Sequence, residues 1–229
     1  MKGDLTAFQK AKLLQTLFFQ VFREKLPDHR PHRLFLSHPE VIHPRIESQL
    51  LGLGHLPNNF FQGLGIDEFI LGADFNRGIR SLARFNLVYD ILVLPRHLPF
   101  TIRFVDRHPT QLFVLDHVAK PLIRDGVMEP WARQIRELAL RPNVYCKVSG
   151  MVTEAHYRTW TDTQLRPYFD VVLEAFGPHR LMFGSDWPVC LVACEYDRWH
   201  KLVSNWIKDL TFDEQARVLG GTAMAAYRL

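Results

Sequence analysis

The sequence predicts an α/β fold built on parallel strands, and three observations predict it. Short, nearly continuous apolar runs recur along the chain from about Phe75 onward. Segments with helical apolar spacing separate them. The ionisable residues of those runs, Asp90 excepted, gather at their C-terminal ends. A strand that is apolar on both faces must be covered on both faces, and crossover helices in a parallel sheet supply that cover. The C-terminal edge of such strands is where ligands bind, in open sheets and in closed barrels alike.

Taken in order, "NRGIRSLARF" carries Ile79, Leu82 and Phe85 at helical spacing, and "LVYDILVLP" (Leu87 to Pro95) reads as the first strand. "FTIRFVDRH" is a short helix and "LFVLDH" the second strand. "EPWARQIRELAL" is a helix that Pro130 can start, because proline suits a first turn. "NVYCKVSG" is the third strand. "LRPYFDVVLEAFG" is a helix closed by Gly177, and "RLMFGSD" is the fourth strand. Helices over Tyr196 to Leu210 and Phe212 to Leu219, and a last turn before Leu229, complete the chain. The four strands should form one parallel sheet in chain order, with His117 and Asp186 opening to the same end.

Residues 1–58 read differently and are expected to be a separate, atypical region, with the α/β domain over 59–229. The region holds His29, His32, His38, His43 and His55 in a proline-rich stretch without strand–helix alternation. Their spacing matches no structural zinc pattern, which makes them loop histidines. "LLQTLFFQVF" (Leu13 to Phe22) is interrupted by Gln15 and Gln20 and is far short of the roughly 20 apolar residues of a membrane span. It reads as an amphipathic or buried helix.

Composition narrows the partners. The formal net charge is +4, with basic residues interleaved among acidic ones, so no nucleic-acid partner is expected. No membrane partner is expected either. Cys146, Cys190 and Cys194 are an odd count in a long chain, which argues for small buried thiols, a reducing compartment and a cytoplasmic location.

The chemistry-bearing positions are Arg96 and His97, Asp116 and His117, Lys147 and Ser149, and Ser185 and Asp186. On an extended strand Asp116 points opposite His117, and so reads as structural. Tyr145, Lys147 and Ser149 share a face by the period of two. If that face is the interior, Lys147 is a buried charge and a substrate-binding candidate; otherwise its stem lies along the strand end and its head reaches water. Asp186 could equally cap the segment after it, and His117 could be a buried histidine bonded to backbone.

"FVLDHVAKP", "NVYCKVSG", "PYFDVVLEAFGPHRLMFGSDWPVC" and "GTAMAAYRL" resemble the amidohydrolase-related family, in its branch of fuconolactonase- and rhamnonolactonase-like sugar-lactone hydrolases. The segment from Phe60 to Pro99 extends the resemblance over about residues 60 to 229. It implies a partial or distorted (β/α)8 barrel, a TIM-type fold. By position it implies that His117 binds metal or polarises the substrate carbonyl. It also implies that Asp186, a second tentative metal ligand, takes a proton from the attacking water. Trp187 and Pro188 would shape the rim, and Arg96 would steer a polar substrate. The implied cofactor is one divalent cation, Zn or Mn, or none.

The family pattern also places a His-x-His at the end of the first barrel strand, and no His-x-His occurs in these 229 residues. First strands that are missing or replaced would leave a sheet edge unpaired. The expectation is that a helix from about Leu5 to Leu26 covers that edge or that the protein self-associates. Three functions stay open: a sugar-lactone hydrolase in carbohydrate metabolism, a catalytically inactive family remnant, and a decarboxylase or lactonase acting on aromatic breakdown intermediates.

Overall fold

A computed structural model describes residues 66–229 of the chain. The expectations for residues 1–58, including the N-terminal helix and the five histidines, lie outside the described residues.

Two helices come first. Helix α1 spans Ile66–Leu71 and α2 spans Ala73–Ala83. Asn76 joins them, its side-chain amide donating to the carbonyls of Ile70 (3.0 Å) and Gly72 (2.7 Å). The helix starts earlier than the apolar spacing indicated and stops where Asn86 turns left-handed (φ 59°), a conformation asparagine tolerates.

Residues 82–229 form a compact unit. Its four strands are β1 (Tyr89–Ile91), β2 (Phe113–Leu115), β3 (Val144–Val148) and β4 (Leu181–Phe183). They lie in the order β1-β2-β3-β4, all parallel, as the alternation of runs and helices predicts. Between and after them run α3 (Leu98–Asp106), α4 (Trp131–Ala139), α5 (Asp162–Phe176), α6 (Tyr196–Trp206), α7 (Phe212–Ala216) and α8 (Thr222–Tyr227).

The cap chemistry is local. Pro130 holds the N-cap of α4, and Gly177, at φ 67°, closes α5. The hydroxyl of Thr161 accepts from the Gln164 amide, so α5 begins at Asp162, ahead of the apolar spacing. The expected helix from Phe212 to Leu219 breaks into a π-turn over Arg217–Gly221, where Gly220 and Gly221 give the backbone little reason to stay α-helical.

The sheet has two different faces. Phe113, Leu115, Val144, Cys146, Val148 and Leu181 are fully buried and alternate onto one side. There Phe104 of α3 meets Phe113, ring centroids 5.2 Å apart, and α4 and α5 pack behind β3. Burying each such large apolar side chain stabilises the fold by about 1.5–3 kcal/mol. On the other side Val114 and Met182 meet Ala226 of α8, with Leu112, Tyr145, Ala223 and Tyr227 around them. Asp90, Lys147 and the ends of β2 and β4 belong to this second side, and it carries the polar groups.

Candidate active site

Beyond Leu115 the chain abandons extended geometry. Residues Asp116–Ala119 wind into a short turn, and four consecutive non-glycine residues stand at positive φ: His117 (49°), Val118 (48°), Ala119 (60°) and Lys120 (50°). Each left-handed residue of this kind costs roughly 1–2 kcal/mol. Surrounding groups hold the turn. The indole N–H of Trp131 donates to the Val118 carbonyl at 2.8 Å, and the Lys120 amide donates to the His117 carbonyl at 2.8 Å. The Lys120 ammonium pairs with Glu154, again at 2.8 Å.

This turn alters the expected facing of Asp116 and His117. Strand alternation set them on opposite faces, but both reach the polar side of the sheet. Asp116 Oδ1 lies 2.7 Å from Lys147 Nζ, and His117 Nδ1 lies 2.8 Å from Ser149 Oγ. Lys147 and Ser149 flank one point: a Cβ added at Gly184 would stand 2.9 Å from Lys147 Cγ and 2.9 Å from Ser149 Cβ. The expectation failed because the period of two applies only while φ stays extended.

His117 Nε2 faces Asp186 Oδ1 at 3.8 Å, with both side chains almost wholly buried. The structure thus brings together the two residues that sequence placed at the ends of separate strands. The separation is too long for a direct hydrogen bond. Burial pushes the His117 imidazole well below its ordinary range, and the Lys120 and Lys147 cations add to the effect, which favours the neutral ring. Asp186 sits at φ 56°, just past β4, and its carbonyl accepts from the Cys190 amide at 2.8 Å. Gly150, at φ 64°, has His117 against its α-carbon; a Cβ there would stand 2.9 Å from His117 Cβ, Cγ and Nδ1.

Lys147 is a buried charge on the polar face, and it is engaged. Its ammonium lies 2.7 Å from Asp116 and 3.3 Å from Asp90 Oδ2, while the Tyr227 hydroxyl donates to the Asp90 carboxylate at 2.9 Å. Burial opposes the lysine charge, but Asp116 and Asp90 outweigh it and raise its pKa. Asp90 is pushed up to about 6, by burial first and by Asp116 second, with Lys147 and Tyr227 pulling the other way.

Two other expected residues stand apart. Arg96 is exposed in the turn Pro95–His97 after β1, with Nε 3.1 Å from His97 Nε2. Trp187 follows Asp186 directly and is 57% exposed. Sequence reasoning placed Ser149 at a strand end without giving it a role, and did not single out Gly150 or Tyr227. The mid-strand charge of Asp90 and the inward-facing reading of Lys147 were the two advance signals of the buried ion cluster.

A metal fits this geometry in part. The N···O gap of 3.8 Å is under twice a zinc–ligand bond of about 2.0–2.2 Å, so His117 and Asp186 can reach one ion. Among the described residues no group of three or more His, Cys, Asp or Glu side chains is placed to hold a metal. Catalytic zinc takes three protein ligands, and this pair supplies two.

A parallel α/β sheet with a buried histidine and aspartate converging at its C-terminal edge is the arrangement of barrel-type enzymes that bind ligands at that edge. Within that class the chain belongs to the amidohydrolase family, whose model matches residues 60–229. It is 43% identical over 174 residues to an L-fucono-1,5-lactonase of Burkholderia multivorans, covering 72% of this chain and 59% of that protein. It is 26% identical over 148 residues to an L-rhamnono-gamma-lactonase of Scheffersomyces stipitis, covering 56% of this chain and 44% of that protein. A crystal structure of a B. multivorans amidohydrolase with bound Zn superposes with a TM-score of 0.69 at 42% identity, over 72% of this chain and 60% of the other. The chain therefore spans about 59% of the length of the L-fucono-1,5-lactonase. The described sheet is a four-stranded part of a barrel architecture.

Proposed function

We propose that this protein hydrolyses the lactone of a sugar acid, with Asp186 and His117 as the reacting pair. The observation that carries the reading is their convergence from separate strands at 3.8 Å, with His117 kept neutral. The named activities of the lactonase relatives support the substrate class. Asp186 accepts a proton from water as the water oxygen attacks the ring carbonyl. His117 presents Nε2 to the carbonyl oxygen, the ring C–O bond breaks as Asp186 passes its proton to the leaving ring oxygen, and the product is an open hydroxy acid. Trp187 offers an exposed aromatic face at the rim, and Arg96 a cation for hydroxyls or the product carboxylate.

Where a divalent cation, Zn or Mn, is used, His117 Nε2 and Asp186 would hold it, and it would supply Lewis-acid polarisation and a more acidic water. The zinc bound in the related crystal structure supports this part. The proposal extends to a small-molecule partner only, to a cytoplasmic location, and to self-association through the outer edges of β1 and β4, which have no strand neighbour among the described residues. Among those residues no helix is long and apolar enough to cross a membrane.

A second reading, a family member that keeps the fold without turnover, is favoured by the site's having two metal donors among the described residues. Asp186→Asn decides between them. For a hydrolase the rate on sugar-acid lactones falls by about 10²–10⁴-fold, the contribution of general-base catalysis, at nearly unchanged melting temperature. A wild type with no turnover on such lactones, with or without Zn or Mn, sinks the first reading.

A further inference from the structure

Ser149 follows β3 with its hydroxyl 2.8 Å from His117 Nδ1, and it is fully buried. Where an imidazole nitrogen has work to do, the other nitrogen usually donates to a carboxylate or backbone carbonyl, and that obligate acceptor fixes one tautomer. A hydroxyl is not obligate, since it donates or accepts. Its role here is set by what lies across the ring. Nε2 points at Asp186 Oδ1, and both side chains are nearly sealed from water. A lone pair aimed at a buried carboxylate is repelled, whereas an N–H in the same place is attracted. A neutral ring has a single N–H proton, and the buried carboxylate draws it to Nε2. Nδ1 is then the acceptor, and Ser149 the donor.

We propose that Ser149 is the positioning residue of this site: its O–H donates to His117 Nδ1 and anchors the imidazole in the Nε2–H tautomer that Asp186 favours, with that N–H aimed beside Asp186. The inference rests on His117 and Asp186 being the reacting pair. In this state His117 is a ready hydrogen-bond donor to a carbonyl oxygen. For Nε2 to take a cation, the proton must sit on Nδ1 and the Ser149 hydroxyl must turn to accept it. Rotation about one bond achieves that, and a backbone carbonyl in the same place would have no such freedom.

Serine, histidine and aspartate in line also suggest a nucleophile with its base and orienting acid. Burial decides against that role. Ser149 has no exposed surface, and the backbone of Gly184 closes against it so tightly that a Cβ would sit 2.9 Å away. An acyl group has no approach to its oxygen.

The test reads the tautomer directly. The full chain is labelled with ¹⁵N-histidine, freed of metal and held at neutral pH, and the ring nitrogens are observed by long-range ¹H–¹⁵N correlation. His117 is assigned from the signals lost in His117→Gln. The expected pattern is a protonated Nε2 and an unprotonated Nδ1; a protonated Nδ1 overturns the proposal. In Ser149→Ala the Nδ1 resonance is expected to shift as its hydrogen bond is lost, and an unmoved Nδ1 resonance overturns the proposal as well. Should Ser149→Ala not fold, Ser149→Cys puts a much weaker donor in the same place, and a shift of the Nδ1 resonance in the same direction is expected. No step needs turnover, so a chain without lactonase activity removes the functional reading and still leaves Ser149 to be decided.

Discussion

Lys147→Met keeps the length and apolar stem of the side chain and deletes the cation between Asp116 and Asp90. In the wild type those carboxylates lie 2.7 Å and 3.3 Å from the ammonium, and the Lys147, Asp116 and Asp90 side chains are 10%, 11% and 22% exposed. Removing one partner of a buried pair costs about 3–5 kcal/mol, because a charge stays buried without compensation. The residual hydration of Asp90 argues for the lower end. In a chain of this size that is roughly 6–20 °C in melting temperature, at about 2–4 °C per kcal/mol.

The pH dependence separates this cause from a packing defect. The folded-state pKa of Asp90 is raised to about 6 from an ordinary 3.8. Its contribution to stability is therefore fully present below about 3.8 and is lost as pH rises through about 6. Lys147 is one of the groups that lowers this pKa, so its removal moves the loss to still higher pH by raising the pKa further. Relative to wild type, the variant should be weakest near pH 8 and should recover part of the deficit by pH 5. Urea unfolding at the two pH values is the assay, with midpoint and slope fitted separately. Equal midpoints at pH 8, or a deficit that stays constant between pH 8 and 5, would refute the electrostatic reasoning.

Three further outcomes are expected. Gly150→Ala should cost at least the roughly 1–2 kcal/mol of a left-handed alanine. It should also shift the His117 ring resonances, because the new methyl falls 2.9 Å from that ring, and unmoved resonances would show that the contact yields freely. Tyr227→Phe removes a hydrogen bond to a carboxylate and should destabilise by about 1.5–3 kcal/mol in a chemical melt at pH 8, where Asp90 is ionised. Trp131→Phe strips the donor from the Val118 carbonyl, at a cost of about 1–3 kcal/mol. Hydrogen exchange at the Lys120 amide should quicken with it, and unchanged exchange would mean the turn stands without the indole.

Fold class, strand order and the His117–Asp186 pairing were legible because they follow from period and position. Apolar runs such as "FVL" and "VYCKV" have few alternatives when helices flank them, and parallel strands present their ends together. The extent of the strands was less legible: β2 ends at Leu115, because the turn from Asp116 depends on Trp131, Ser149 and Glu154 from later in the chain. Local pattern carries no trace of such distant support. For the same reason the engagement of Lys147 with Asp90 was hidden. The two residues are 57 positions apart, and only the sheet makes them neighbours.

The hydrogen bond from Tyr227 to Asp90 spans 137 positions, and Arg228 likewise reaches back to the Asn86 carbonyl. A ribosome adds about 5–20 residues per second, so about 7–27 s separate the synthesis of the carboxylate from that of its phenol. Through that interval the Asp90 carboxylate can meet Lys147 but not the phenol that completes its hydrogen bonding. The apolar surface of Val114 and Met182 also waits for Ala226. Translation speed and chaperone access while residues 183–228 are made therefore bear directly on the yield of folded protein, and a chain stalled or clipped before Ala226 would have all four described strands and an open polar face.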